Sequence, residues 1–176
     1  MDITQLFLER SRQYLAHEYP AKIERCLRAL PAAALWHRSD DGSNSVGNLL
    51  LHLEGNVRQW IVSSIGGAPD HRHRAAEFSA REGSDGAATM FAALRHTLDE
   101  ADAVLATLDT ESLRSRRTVQ GRDVAVFDAV FHVVEHFALH TGQIILLTKV
   151  HAPGAIAFYE DAGGLAIPRW REPLTD

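Results

Sequence analysis

The sequence predicts an all-α fold, a bundle built from four helical segments, on three observations. Four stretches repeat apolar residues at steps of three and four, the spacing of one helix face. No stretch shows a convincing apolar–polar alternation of the kind a half-buried strand carries. The 176 residues, 45 % of them hydrophobic, suffice for one domain spanning 1–176 around a single core, without disulfides.

The first segment runs from about Ile3 to Leu30, anchored by Leu6, Phe7, Tyr14, Ile23, Leu27 and Leu30. Pro20 falls inside it and lacks an amide donor, so a kink or break is expected there. The second opens at Ser43–Asn44–Ser45, with Asn44 or Ser45 as N-cap. It continues through Val46, Leu49, Leu50, Leu53, Val57, Trp60 and Ile61, and Gly66 and Gly67 end it. The third runs from about Gly86 to Leu108, with Phe91, Leu94, Leu98, Ala101, Leu105 and Leu108 at the spacing of a bundle seam. The fourth runs from about Val124 to Val150 with Asp123 as N-cap. Phe127, Val130, Phe131, Val134, Ala138 and Ile145 form its expected core face, and Val133, Phe137, Ile144 and Leu147 spread apolar character around the rest. Such a helix should be buried on most sides.

Two connections are long. Residues 66–85 are polar and turn-rich, and that length implies a crossover or a functional loop. Arg114 to Val124 is basic and reads as a turn or short hairpin. The irregular tail after His151 holds Ile156, Phe158, Tyr159 and Trp170, too many large apolar groups for a free end; it should drape over the bundle or across a dimer contact.

The charge balance is 18 basic against 23 acidic residues, or −5. That argues against a nucleic-acid footprint, which needs a basic face, and more weakly against a membrane-surface role. No uninterrupted apolar run reaches about 18 residues, so no bilayer span is expected. The N-terminus carries charge too early for a secretory leader, so a cytoplasmic location is expected. The single Cys26 lies in an apolar pattern and reads as a small buried hydrophobe.

Ten histidines are the surplus to explain. His132, His136 and His140 recur every four residues, which places them on one helix face one turn apart. Random placement of ten histidines yields such a triple only about 0.03 times, whereas a single pair is expected about half the time. Two imidazoles at this spacing reach one ion at about 2.0–2.1 Å. A step of four drifts by about 40°, so only two of the three point well at the same ion. A divalent metal would satisfy several buried imidazoles at once; a hydrogen-bonded polar core is the alternative. His52, at the edge of the apolar stripe of the second helix, is the best third ligand, although a lone histidine there also fits a core position. Glu135 and Gln143 flank the row and are candidates for a catalytic base or for an acceptor behind a ligand. His17, His37 and His96 read as surface residues, His151 as helix-terminal, and His71 and His73 as solvated loop residues.

The stretches NSVGNLLLHLEGNVRQWI and HVVEHFALHTGQI, with the intervening DHRHRAAEF and the approach FDAVFHVVEH to the fourth helix, resemble the DinB-like superfamily over nearly the whole chain. The resemblance implies an up-down-down-up four-helix bundle with a long crossover, often dimeric. It implies one divalent metal, zinc or nickel first, held by His52, His136 and His140, with His132 as a neighbour. It further implies transfer of a low-molecular-weight thiol to a small electrophile. The rival expectations are a metal-dependent hydrolase that activates water as hydroxide, assisted by Glu135 or Gln143, and a non-catalytic dimer stiffened by its metal.

Overall fold

The computed structural model describes residues 2–82 and 86–171. The first segment is helix α1 (Ile3–Gln13), a π-helical stretch Tyr14–Glu18, and helix α2 (Tyr19–Ala29). Pro20 does not break it. The wider π turns end just before it, so the proline ring falls in the first turn of α2, where no amide is required. The carbonyl of Ala16, four residues back, accepts a 2.8 Å hydrogen bond from Arg95 Nη1 instead.

Helix α3 (Val46–Val57) starts at a capping box in which Ser45 and Asn48 bond each other's backbone amides. Ser45, not Asn44, is therefore the cap. The helix widens into π turns over Arg58–Ser63, and after a short turn the chain leaves at Gly67, whose φ of 82° only glycine adopts freely. Within the long polar connection lies a short helix, α4 (Arg74–Ser79). Helix α5 (Ala87–Leu105) and helix α6 (Thr110–Arg114) follow.

The basic stretch forms an antiparallel hairpin of β1 (Arg116–Val119) and β2 (Arg122–Ala125), closed by Gln120 and Gly121, both at positive φ. This corrects the expected start of the fourth helix. Asp123 is not its cap: its carboxylate accepts from Arg116 Nε across the hairpin at 2.6 Å. The N-cap is Ala125, without a side-chain bond, and helix α7 runs Val126–His151.

The expected core face of α7 is also displaced. Val126, Ala129, Val130, Val133, Phe137 and Ile144 are buried, while Phe127 and Phe131 are exposed. The helix is apolar nearly all round, so its pattern alone does not fix its rotation. By length and composition α7 is apolar enough to cross a membrane, a test that a buried core helix also passes. Here it packs against α2 and α3 with His140, Thr141 and Thr148 buried.

The four long helical segments surround one core. α2 lies against α7, α7 against α3, α3 against α5, and α5 against α2. Ile23, Leu49, Leu50, Leu53, Val57, Ile61, Leu94, Leu98, Leu105 and Phe137 fill the centre. Cys26 belongs to it, and burial pushes its thiol up to about 11, as an inert core residue requires.

The tail forms a second hairpin, β3 (Tyr159–Asp161) with β4 (Ala166–Pro168), which the absence of alternation did not foretell. It is fixed to the helices by Trp170, whose indole Nε1 donates to Glu18 at 2.8 Å. Among the described residues the fold is thus mainly helical, with two small hairpins.

Candidate metal centre

His52 lies on the buried side of α3, and His136 and His140 are one turn apart on α7. Because α3 packs on α7, one ligand atom from each ring comes within 4.8 Å of the others. His52 Nε2 and His136 Nε2 are 2.8 Å apart. The ring centroids of His136 and His140 are 4.3 Å apart, and those of His52 and His140 are 5.0 Å apart. Two nitrogens bound to one tetrahedral ion stand about 3.3 Å apart, a separation inside this spread.

The hydrogen bonds behind the rings fix which nitrogens are free. Glu77 Oε2 lies 2.7 Å from His52 Nδ1. A carboxylate only accepts, so Nδ1 carries a proton, and in the neutral ring this leaves the lone pair on Nε2. His140 Nδ1 lies 2.6 Å from the amide oxygen Gln143 Oε1, which imposes the same tautomer. His140 Nε2 is then left buried with no hydrogen-bond partner among the described residues. A buried, unpartnered imidazole nitrogen beside two others is what a metal ligand looks like without its ion. The donor set, three imidazoles from two helices, therefore fits a divalent metal.

The electrostatics agree. Burial, with the neighbouring charges of His140, His52, His132 and Arg72, pushes His136 down to about 3. Burial also lowers His140 below the ordinary histidine value. Both rings are neutral near pH 7, the form that ligates. Burial alone would raise the Glu77 carboxyl, but hydrogen bonds from Arg72 and His52 outweigh it and hold the group below the usual carboxylate range.

Of the four histidines singled out in the sequence, three converge and one does not. His132 sits against Trp60, with ring centroids 4.3 Å apart, and parallel to His136 at 5.2 Å, forming one wall of the cluster. On the other side Phe78 lies 4.6 Å from the His52 ring. Gln143 is exposed and holds His140. Glu135 is exposed on α7, and its charge acts on His132. Glu77 and Arg72, which reach His52 from the long connection, were missed. Their only signal was an acid and an arginine together in the longer of the two long connections.

The chain matches the model of a protein family described as "Protein of unknown function (DUF1572)" over residues 2–157. It belongs to the DUF1572 family. None of the curated proteins matches the chain. The span shared with DUF1572 holds the three histidines, Glu77, Arg72 and Gln143, whereas hairpin β3–β4 lies outside it. The candidate centre is therefore built wholly from the DUF1572 portion of the chain.

Proposed function

We propose that this DUF1572 protein is a DinB-like four-helix bundle of up-down-down-up order that binds one divalent ion, zinc or nickel, at His52, His136 and His140. We further propose that it transfers a low-molecular-weight thiol to a small electrophile. One observation carries the reading: three imidazoles from α3 and α7 gather within 4.8 Å, with a buried nitrogen unpartnered among the described residues. Three protein ligands leave coordination positions open, the mark of a catalytic rather than a structural site. When bound, the ion supplies Lewis acidity that lowers the pKa of a thiol or water at an open position.

The protein's own groups hold and orient. Glu77 and Gln143 keep His52 and His140 in the ligating tautomer, while Trp60, His132 and Phe78 wall the cluster. In the transfer the thiol sulfur forms the C–S bond, the thiol proton goes to solvent, and the electrophile's leaving group departs with the electron pair. A thiol nucleophile fits better than water because Glu77, a carboxylate that touches the triad, is committed to Arg72 and His52 and is not free as a base, and a thiol, far more acidic than water, needs a base less. The proposed setting is the cytoplasm, where such thiols stay reduced. The exposed stripe Phe131, Leu139, Leu146 and Val150 on α7 suits a second copy of the chain.

Purified protein should contain about one zinc or nickel per chain by elemental analysis, and His136→Ala should lose it. Conjugation assays should give turnover only with added thiol. Turnover without thiol would replace the reading with hydrolysis, and metal binding without any turnover would leave a metal-stiffened module. Sedimentation should give a dimer; a monomer at micromolar concentration would overturn that part.

A further inference from the structure

The connection between α3 and α5 folds back onto α3, and what it brings there is not incidental. Arg72 and Glu77 form a fork-to-fork ion pair: Arg72 Nε donates to Glu77 Oε1 at 2.7 Å, and Nη2 to Oε2 at 2.9 Å. The pair is almost enclosed, with side chains 4 % and 9 % exposed. Glu77 Oε2 then takes the His52 Nδ1 proton at 2.7 Å. Arg72 Nη2 also lies 3.2 Å from His52 Nδ1, but both are donors there, so the carboxylate oxygen is what joins them.

The segment is also held at further points. Asn48 Nδ2 donates to the carbonyls of Glu77 and Ala80 at 2.8 and 2.9 Å. Gln59 accepts from Arg72 Nη1 at 3.0 Å and donates to Asp70 at 2.8 Å. Room for the relay is made by Gly55, in the middle of α3. A Cβ there would collide with the Glu77 carboxylate and stand 3.0 Å from Arg72 Nε. A glycine inside a helix is unfavourable, and this close approach accounts for it.

We infer that Arg72 and Glu77, admitted by Gly55, are positioning residues for His52: they fix the tautomer whose Nε2 lone pair turns toward His136 and His140. The inference rests on the proposed reading of the triad as a metal site. Arg72 orients and neutralises the carboxylate, the carboxylate holds the Nδ1 proton, and the far nitrogen is left to ligate. Glu77→Gln makes the logic sharp. Arg72 has only donors and claims the amide oxygen, so the amide NH2 faces His52. Nδ1 must then accept, and the ring proton moves to Nε2, where it blocks the ligand position.

The test uses the full chain, with two readouts. Nitrogen-15 NMR of the metal-free protein reports the His52 tautomer, and competition against a chromophoric chelator reports zinc affinity. Wild type should show the Nδ1–H form. Glu77→Gln should show the Nε2–H form and bind zinc about 10–100-fold more weakly. Should Glu77→Gln fail to fold, Gly55→Ala carries the test: it displaces the carboxylate while every polar group remains, and the same loss is expected. An unchanged tautomer and unchanged zinc affinity in both variants overturn the inference while leaving the metal reading intact. A tautomer that switches in a protein whose wild type binds neither zinc nor nickel supports the positioning and sinks the metal reading instead.

Discussion

Gly47 lies inside α3 with the ring of Trp36 pressed onto it. A Cβ at this position would stand 2.7 Å from Trp36 Cε3 and Cζ3. Glycine to alanine within a helix ordinarily gains about 0.5–1 kcal/mol. Forcing a methyl into an occupied space costs about 1–3 kcal/mol. The second effect wins because a flat ring, not a flexible chain end, must yield. Gly47→Ala should therefore lower the melting temperature by several degrees, at about 2–4 °C per kcal/mol for this chain length; a rise on thermal denaturation would show that Trp36 gives way freely. Gly55 has the same geometry with a functional consequence, since there the yielding group is a carboxylate that holds a ligand. Such close approaches decide what is legible at this scale. His136 and His140 could be read from the sequence because their relation is local, one turn of one helix. Glu77 could not, because it meets His52 across 25 positions through a segment without periodicity. Glu135 drew notice as the neighbour of His136, but adjacent helix positions point about 100° apart, and the structure leaves it exposed.

At the scale of elements, periodicity located the helices and misjudged their ends and rotations. The first segment survives Pro20 because π turns and Arg95 absorb the missing bond, a long-range remedy that no local pattern reveals. Asp123 has the chemistry of a cap but is drawn into the hairpin by Arg116. The tail's attachment was legible from its aromatics, but not the group that receives it. That group is Glu18, buried at the end of the π stretch, where Trp170 Nε1 bonds one oxygen at 2.8 Å and Arg171 Nη2 the other at 2.7 Å. Burial by itself raises this carboxyl, yet the two hydrogen bonds and the charges of Arg171 and Lys22 bring it below its ordinary value of about 4.5. The folded form thus favours the ionised state. The attachment contributes fully above pH 4.5 and is lost as pH falls through the lowered folded value. Trp170 fluorescence, taken as the difference from a Trp170→Phe variant, should report release of the tail in acid before the helical signal in circular dichroism is lost. Glu18→Gln should loosen the tail at neutral pH and flatten its acid response. A tail signal independent of pH in the wild type would show that its apolar contacts alone hold it.

Across the whole molecule, the triad ties α3 to α7 through residues 84 positions apart, His52 and His136. The chain between them includes α5 and hairpin β1–β2, so an ion held by both helices closes a loop around much of the core. The unfolded chain offers no preformed site, so ion binding stabilises the folded state by mass action. At an ion concentration one hundred times the dissociation constant the gain is about 2.7 kcal/mol. For a chain of 176 residues that corresponds to a rise of roughly 5–10 °C in melting temperature. The rise should grow with the logarithm of zinc or nickel concentration and vanish on chelation. His52→Ala should abolish it, whatever that variant's own metal-free stability, because only one helix then supplies ligands. His132→Ala should keep it, because that ring packs on Trp60 outside the trio. A melting temperature that does not respond to either metal, in a wild type shown by circular dichroism to be folded, would mean that the three imidazoles are a hydrogen-bonded polar core. The 2.8 Å contact between His52 and His136 would then be a single N–H···N bond.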